Sequence, residues 1–522
     1  MTDSPPHATP DRRPVRPRPA APCLAALIAL TLTIQPACLS RRAADEFVRV
    51  RAPVVALTGV ALIDGTGAPA RRDQTLVIEH GRIKELGDAG STRVPEGALV
   101  LDLPGRTIIP GLVGMHEHLF YAVNGGDGYV NAGTAFARLY LACGVTTIRT
   151  GGALDLPGDV KLKEAIDAGG EPGPRVFVTS PYLNGYGERA DAERAARDVE
   201  TWAGQGATSV KAYAGLKRAE LAAAVAAAHR RGLKVTGHLC AVGFREAAAT
   251  GIDNLEHGLL VNTEFFPRKE PDACPDFNAN VSELTRLDVD GAPVRQTIRE
   301  LVERRVAVTS TLAVFESFAP QRFSLDPRVE TVLTPEAYAR CRGELSRRST
   351  AEWRNASEMW AAALKKEMQF ERSFVRAGGT LLAGADPTGW GGVLAGFGDQ
   401  RNLELLVEAG FTPEEAVRIS SANGAEFLGE AGRVGTLAVG KQADVVVVRG
   451  DLAADIRNIR NVEIVFKEGV GYDSAKLVAS VHGRVGADER RWWLNAAWAV
   501  AAAALVFLLL RRLLRLLTRR PR

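Results

Sequence analysis

The strongest constraint on the fold is where six polar residues fall relative to short apolar runs. His116 and His118 close Ile109-Pro110-Gly111-Leu112-Val113-Gly114-Met115-His116-Glu117-His118. Lys211 ends Thr208-Ser209-Val210-Lys211, and His238 ends Lys234-Val235-Thr236-Gly237-His238. His257 ends Asn254-Leu255-Glu256-His257, and Asp386 ends Leu381-Leu382-Ala383-Gly384-Ala385-Asp386. Each run reads as a buried strand with a ligand-type residue at its C-terminal tip. Between the runs lie Ala-rich amphipathic stretches such as Glu220 to Arg231. Another helix opens at Thr412-Pro413-Glu414-Glu415, with Thr412 as N-cap and Pro413 in the first helical position. Strand–helix alternation argues for a parallel sheet. The number of repeats favours a closed α/β fold, a (β/α)8 TIM barrel, in which strand tips converge on one face and functional groups gather there.

A chain of 522 residues leaves room for such a barrel, a second domain and tails. Both ends of the barrel region are flanked by β-rich sequence. Val54-Val55-Ala56-Leu57-Thr58 and Thr75-Leu76-Val77-Ile78-Glu79 lie on one side. Ala443-Asp444-Val445-Val446-Val447-Val448 and Glu463-Ile464-Val465-Phe466-Lys467 lie on the other. The expected organisation is a (β/α)8 barrel over 107–431 and a small composite β-sandwich domain from 53–106 plus 432–485. The net charge of +4 is small, and basic residues are not interleaved with aromatics in the centre, which argues against a nucleic-acid partner.

The termini read as targeting and membrane sequence. Arg12, Arg13, Arg16 and Arg18 precede the apolar stretch Cys23 to Ile34, which suits a signal segment within 1–45. Gln35-Pro36-Ala37-Cys38 follows; lipidation at Cys38, ordinary cleavage and an uncleaved anchor all stay open. Trp492 to Leu510 is uncharged and long enough for a transmembrane helix, and the basic tail 511–522 is expected in the cytoplasm. This places the protein at a bacterial inner membrane with its catalytic domain in the periplasm. Of the six cysteines, Cys143 and Cys240 read as buried thiols. Cys274 and Cys341 lie in long connections, and an oxidising compartment would let them form a disulfide.

A His-x-His pair on a strand puts both imidazoles on one face, because side chains alternate with period two. Alone this is weak evidence for a metal. The later motifs make it specific. The chain resembles the amidohydrolase superfamily, within its imidazolonepropionase-like and prolidase-like metal-dependent hydrolases. The residues that carry this are Val60-Ala61-Leu62-Ile63-Asp64-Gly65-Thr66-Gly67, Pro110 to His118, Val210-Lys211-Ala212-Tyr213, Thr236-Gly237-His238-Leu239, Glu256-His257-Gly258 and Gly384-Ala385-Asp386-Pro387. Ala422-Asn423-Gly424-Ala425 and Gly440-Lys441-Gln442-Ala443-Asp444-Val445 complete the pattern.

The resemblance implies two divalent metal ions, zinc as a rule, bridged by a carboxylated Lys211. His116, His118 and Asp386 would hold the more buried ion, and His238 and His257 the more exposed one. Asp386 would move protons for an activated hydroxide. Tyr213 is a candidate for binding the substrate carbonyl or carboxylate; a packed barrel tyrosine is the alternative. For Lys211 the alternative is a barrel lysine paired to a carboxylate. The activity this implies is hydrolysis of carbon–nitrogen bonds in small molecules, with dipeptides or N-acyl amino acids as the expected substrates. Lactones or cyclic amides, and an inactive membrane-tethered scaffold, are the competing readings, and homo-oligomerisation stays open. The long connections 261–300 and 316–374 follow strand tips and should shape the substrate pocket.

Overall fold

In the computed structural model, which describes residues 44–187 and 189–488, eight parallel strands make up the central wall. The first two are Leu112–Glu117 and Val145–Thr150. The third is bent into Arg175–Phe177 and Thr179–Leu183. Ser209–Ala212, Lys234–Gly237, Asn254–Glu256, Ala307–Ser310 and Leu381–Ala383 follow. Each pairs in parallel with its neighbour in chain order. The third strand pairs back to the second through its first piece and on to the fourth through its second piece. The eighth returns to the first where the Asp386 N–H donates to the His116 carbonyl at 2.9 Å. Gly384 permits that approach, since a Cβ there would lie 2.4 Å from the His116 nitrogen.

Helices pack outside the wall. Ala192–Gly204 buries Ala195 and Val199, and the Asp191 carboxylate accepts from the Arg194 N–H at 2.9 Å as its N-cap. The helix expected at Thr412 runs over Pro413–Ile419. Thr412 and Glu415 bond each other's backbone N–H there, a capping box. The connection 261–300 contains two helices, Phe277–Arg286 and Ala292–Glu303. The connection 316–374 contains Pro335–Arg348 and most of Arg354–Arg376.

The flanks meet in one sheet. Arg106–Pro110 pairs antiparallel with Val445–Arg449, which pairs with Val462–Lys467. The chain therefore leaves this sheet at Gly111 and enters the barrel one residue later. The expectation of a β-sandwich is corrected here, because the strands form a single nine-stranded sheet. The reason is the length of Val54–Leu62. It pairs with Arg71–Glu79 on one edge, while its other edge takes Leu99–Asp102 and then, further along, Arg106–Pro110. No break separates two layers. Leu57, Leu76, Ile83, Val447 and Phe466 are among the side chains buried between its curled halves.

Two further expectations are corrected. Among the described residues no helix is long and apolar enough to cross a membrane. The longest, Arg354–Arg376, spans 23 residues but carries Lys365, Lys366, Glu367, Glu371 and Arg372. The described part of the fold therefore holds no transmembrane element, and nothing in it supports a membrane partner through a C-terminal helix. Trp492–Leu510, the basic tail and the signal segment with Cys23 and Cys38 lie outside the described residues. The disulfide joins Cys240 to Cys274, with Cα atoms 5.1 Å apart, and not Cys274 to Cys341. Cys341 is a buried free thiol whose Sγ donates to the Gly391 carbonyl at 3.6 Å. Cys240 sits just past the fifth strand tip, and the segment bearing Cys274 folds back over it, which sequence spacing does not reveal.

Candidate metal centre

His116, His118, Lys211, Tyr213, His238, His257 and Asp386 all line one cavity of about 250 Å³. Every one of them stands at or just past the C-terminal end of a barrel strand. The tightest group is His116, His118 and Asp386, whose potential ligand atoms lie within 4.8 Å of one another. Asp386 Oδ1 is 3.2 Å from His118 Nε2 and 3.8 Å from His116 Nε2. Its Oδ2 is 3.8 Å from His257 Nδ1. The His257 ring centroid lies 4.5 Å from that of His116 and 4.5 Å from that of His238, so the imidazoles form a continuous arc. Gly151 leaves room for this arc, because a Cβ there would come within 2.5 Å of the His116 ring.

Local backbone shape serves the cluster. His257 and Asp386 take positive φ values of 66° and 44°. A residue with a Cβ adopts that left-handed conformation at a cost, which the surroundings must offset. The His257 N–H donates to the Thr309 carbonyl at 2.9 Å, and Thr388 Oγ1 donates to Asp386 Oδ1 at 2.7 Å. Glu117, between the two histidines, faces away from the cavity. Its Oε1 accepts from the Ala385 N–H at 2.9 Å and so ties the first strand to the residue before Asp386.

Beneath the histidines lies a buried ionic network. Glu256 Oε2 is 2.7 Å from His116 Nδ1, which directs Nε2 of that ring into the cavity. Arg149 donates to Glu256 Oε1 at 2.6 Å, to Asn254 Oδ1 at 3.1 Å and to the Met115 carbonyl. Thr236 donates to the same Glu256 oxygen. Burial alone would raise the Glu256 carboxyl, but Arg149, His116 and Lys211 hold it well below the usual range. Likewise burial opposes ionisation of Asp386, yet His116, His118 and His257 keep its carboxyl well below normal. Burial and the neighbouring cations lower His116 and His257, and bring His238 down to about 3. These rings are therefore neutral near pH 7, with lone pairs free to ligate.

Lys211 is 1% exposed, and burial, against the pull of Glu256, pushes its ammonium down to about 8. Its Nζ has no hydrogen-bond partner among the described residues and stands 4.0 Å from Glu256 Oε1. A buried amine without partners is costly. His118 Nδ1 is likewise buried without a partner. Four imidazoles, a carboxylate and a lysine nitrogen without a hydrogen-bond partner among the described residues surround one cavity and form a donor set that fits divalent metal ions.

Several functional neighbours escaped the sequence reading. Glu256 lies inside the motif that ends in His257, and Arg149 is a charged residue in an otherwise strand-like run; both were legible signals. Thr311 Oγ1, 2.8 Å from His257 Nδ1, gave none. Nor did Phe120, Tyr129 and Tyr182, which reach the cavity from a hairpin over 120–131 and from the third strand.

The family model for the amidohydrolase family matches residues 388–471. An imidazolonepropionase of Nocardia farcinica is 32% identical over 151 residues, which is 27% of this chain and 36% of that protein. An adenine deaminase 2 of a Bradyrhizobium species is 28% identical over 241 residues, 42% of this chain and 38% of that one. The chain thus spans little more than a third of the length of these curated relatives. Among solved structures, a Xaa-Pro dipeptidase with methionine bound in its active site superposes with a TM-score of 0.59 at 19% identity. That match covers 80% of this chain and 100% of the other.

Proposed function

Because this chain belongs to the amidohydrolase superfamily, we propose that it is a metal-dependent hydrolase of carbon–nitrogen bonds in small molecules. The observation that carries this is the convergence of His116, His118, Lys211, His238, His257 and Asp386 on one cavity at the C-terminal end of the barrel. His116, His118 and Asp386 would hold one ion, His238 and His257 a second, zinc being the ion such nitrogen-rich donors favour. Lys211 would bridge them as a carbamate, which replaces an amine that cannot ligate while protonated with two anionic oxygens. Its partnerless Nζ supports that modification. An inactive scaffold would not need this intact set.

When bound, the two cations would supply Lewis acidity and ease deprotonation of the attacking water. The protein's own work is proton handling and orientation. Asp386 takes the proton of the water that adds to the amide carbon. It then delivers that proton to the nitrogen as the C–N bond breaks, so amide and water become acid and amine. Thr388 holds the Asp386 carboxylate in place. Tyr213, its ring 4.9 Å from that of His238, would donate its hydroxyl to the carbonyl oxygen. Likeness to the dipeptidase named above would, taken alone, suggest dipeptides or N-acyl amino acids; the lining of the cavity narrows that choice below. The Cys240–Cys274 disulfide supports work in an oxidising compartment, reached through the signal-like N-terminal sequence.

The test is Asp386→Asn. It should lower turnover of an amide substrate by roughly 10²–10⁴-fold while the purified protein still contains metal by elemental analysis. Full activity in that variant would end the proton-transfer assignment, and wild-type protein that takes up no divalent metal would end the reading as a whole.

A further inference from the structure

The cavity floor and the cavity wall differ in chemistry. The charge-bearing side chains, Lys211 and Asp386, sit on the floor among the metal-ligand imidazoles. Among the described residues that line the wall, none is ionised at neutral pH. The wall is instead two files of aromatic rings in tilted and edge-to-face contact, each rising from a floor histidine. One runs from His118 to Phe120 at 4.5 Å and on to Tyr129 at 4.9 Å. The other runs from His238 to Tyr213 at 4.9 Å and on to Tyr182 at 5.0 Å. The lip continues the apolar character. Tyr129 is 46% exposed and Leu154 is 52% exposed, two of only six large hydrophobic residues exposed among the described residues. Tyr182 and Tyr213 both line the cavity, and neither hydroxyl is hydrogen-bonded among the described residues, which leaves two neutral groups to bond a substrate.

A substrate bearing a free carboxylate would have to bury that charge between aromatic faces with no arginine or lysine beside it. Burying an unpaired charge is strongly unfavourable. A flat apolar body would instead stack between the two walls and cover Tyr129 and Leu154. We propose, resting on the hydrolase reading above, that the substrate is an uncharged aromatic amide: one whose C–N bond carries an aryl-bearing body with neither a free carboxylate nor an ammonium group. Tyr182 joins Tyr213 as a specificity-determining residue, and the hairpin that carries Phe120 and Tyr129 forms the second face of the slot.

The experiment is a matched pair, N-benzoylglycine and its neutral N-methylamide, which share the scissile benzamide bond and differ in charge. With the zinc-loaded full chain, kcat/KM should favour the neutral member by about tenfold or more, mainly through KM. Leu154→Arg adds a cation at an exposed position and should shift the ratio toward the anion by a similar factor. Calorimetric binding of both compounds to zinc-loaded Asp386→Asn protein separates the two readings. If the wild type prefers the anion, or treats the two alike, the substrate class is overturned and the hydrolase reading stands. If the neutral compound binds more tightly but is not hydrolysed, the hydrolase reading falls and the substrate class stands. If neither binds, the substrate class is overturned.

Discussion

The interior of the flanking sheet and the interior of the barrel's open end are both fully buried, yet they are made of opposite materials. Between the curled halves of the sheet lie Leu57, Leu76, Val447 and Phe466, apolar side chains with nothing to satisfy. At the barrel's open end Lys211 is equally buried, and so are Arg149, Glu256, Asn254 and Thr236, which bond mainly to one another. Apolar burial stabilises by about 25 cal/mol per Å². A buried ion pair adds little beyond what hydrophobic residues of the same volume would give. The sheet is thus built for stability. The barrel end carries a network that stability alone does not require, and this asymmetry locates function before any ligand is considered.

The largest effect that would sharpen the contrast is on the sheet. Phe466→Ala should reduce unfolding free energy by about 3–5 kcal/mol, read by denaturant titration, with metal content per folded molecule unchanged. Loss of metal in the folded variant would break the separation between the two regions. Next comes Glu256→Gln, which keeps the shape but removes the charge that orients His116. Metal affinity should weaken by roughly 10–100-fold, measured by competition with a chelator. An unaltered affinity would mean that the network is structural after all.

The third test lies outside both regions, on the barrel's outer wall, where the helix Arg354–Arg376 buries a second polar pair, Glu367 and Glu371. Burial pushes the Glu371 carboxyl from 4.5 up to about 8, and burial beside Glu371 raises Glu367 well above its ordinary value. Between those pH values the folded protein holds a proton that the unfolded chain has released. The stability that this proton confers is complete below about pH 4.5 and is lost as the pH rises through about 8. The slope is at most about 1.4 kcal/mol per pH unit for each proton. Glu371→Gln should flatten that decline. A variant with the wild-type pH profile between 4.5 and 8 would show that the pair does not titrate there.

The alternation of strand and helix, the Pro-Gly approach to His116 and the ligand-type residues at strand tips were all legible from the chain, because each is a local pattern. Period two decides which side of a strand His116 and His118 share, and capping chemistry decides that a helix starts at Thr412. The sheet count was not legible, because whether Val54–Leu62 keeps one ladder or starts a second depends on partners more than 35 residues away. The disulfide partner of Cys274 was missed because which cysteine the connection meets depends on how it folds back over the fifth strand tip. Hydropathy over Trp492–Leu510 suggested a membrane helix that no described helix supplies.

What the sequence by itself determined is therefore the inventory: an alternation of strand-like runs and helices, and six donor residues at strand tips. The tertiary structure alone decided the distances and the company. Barrel closure through Asp386 and His116 brings residues 116 and 386 within bonding range. The left-handed turns at His257 and Asp386 aim their side chains inward, and Glu256 and Arg149 form the floor beneath His116. The aromatic slot is also a product of tertiary structure, since Phe120, Tyr129, Tyr182 and Tyr213 come from separate segments. The physical reason is that a side chain's role at such a site depends on what faces it across the barrel, and contacts across a barrel have no signature along the chain.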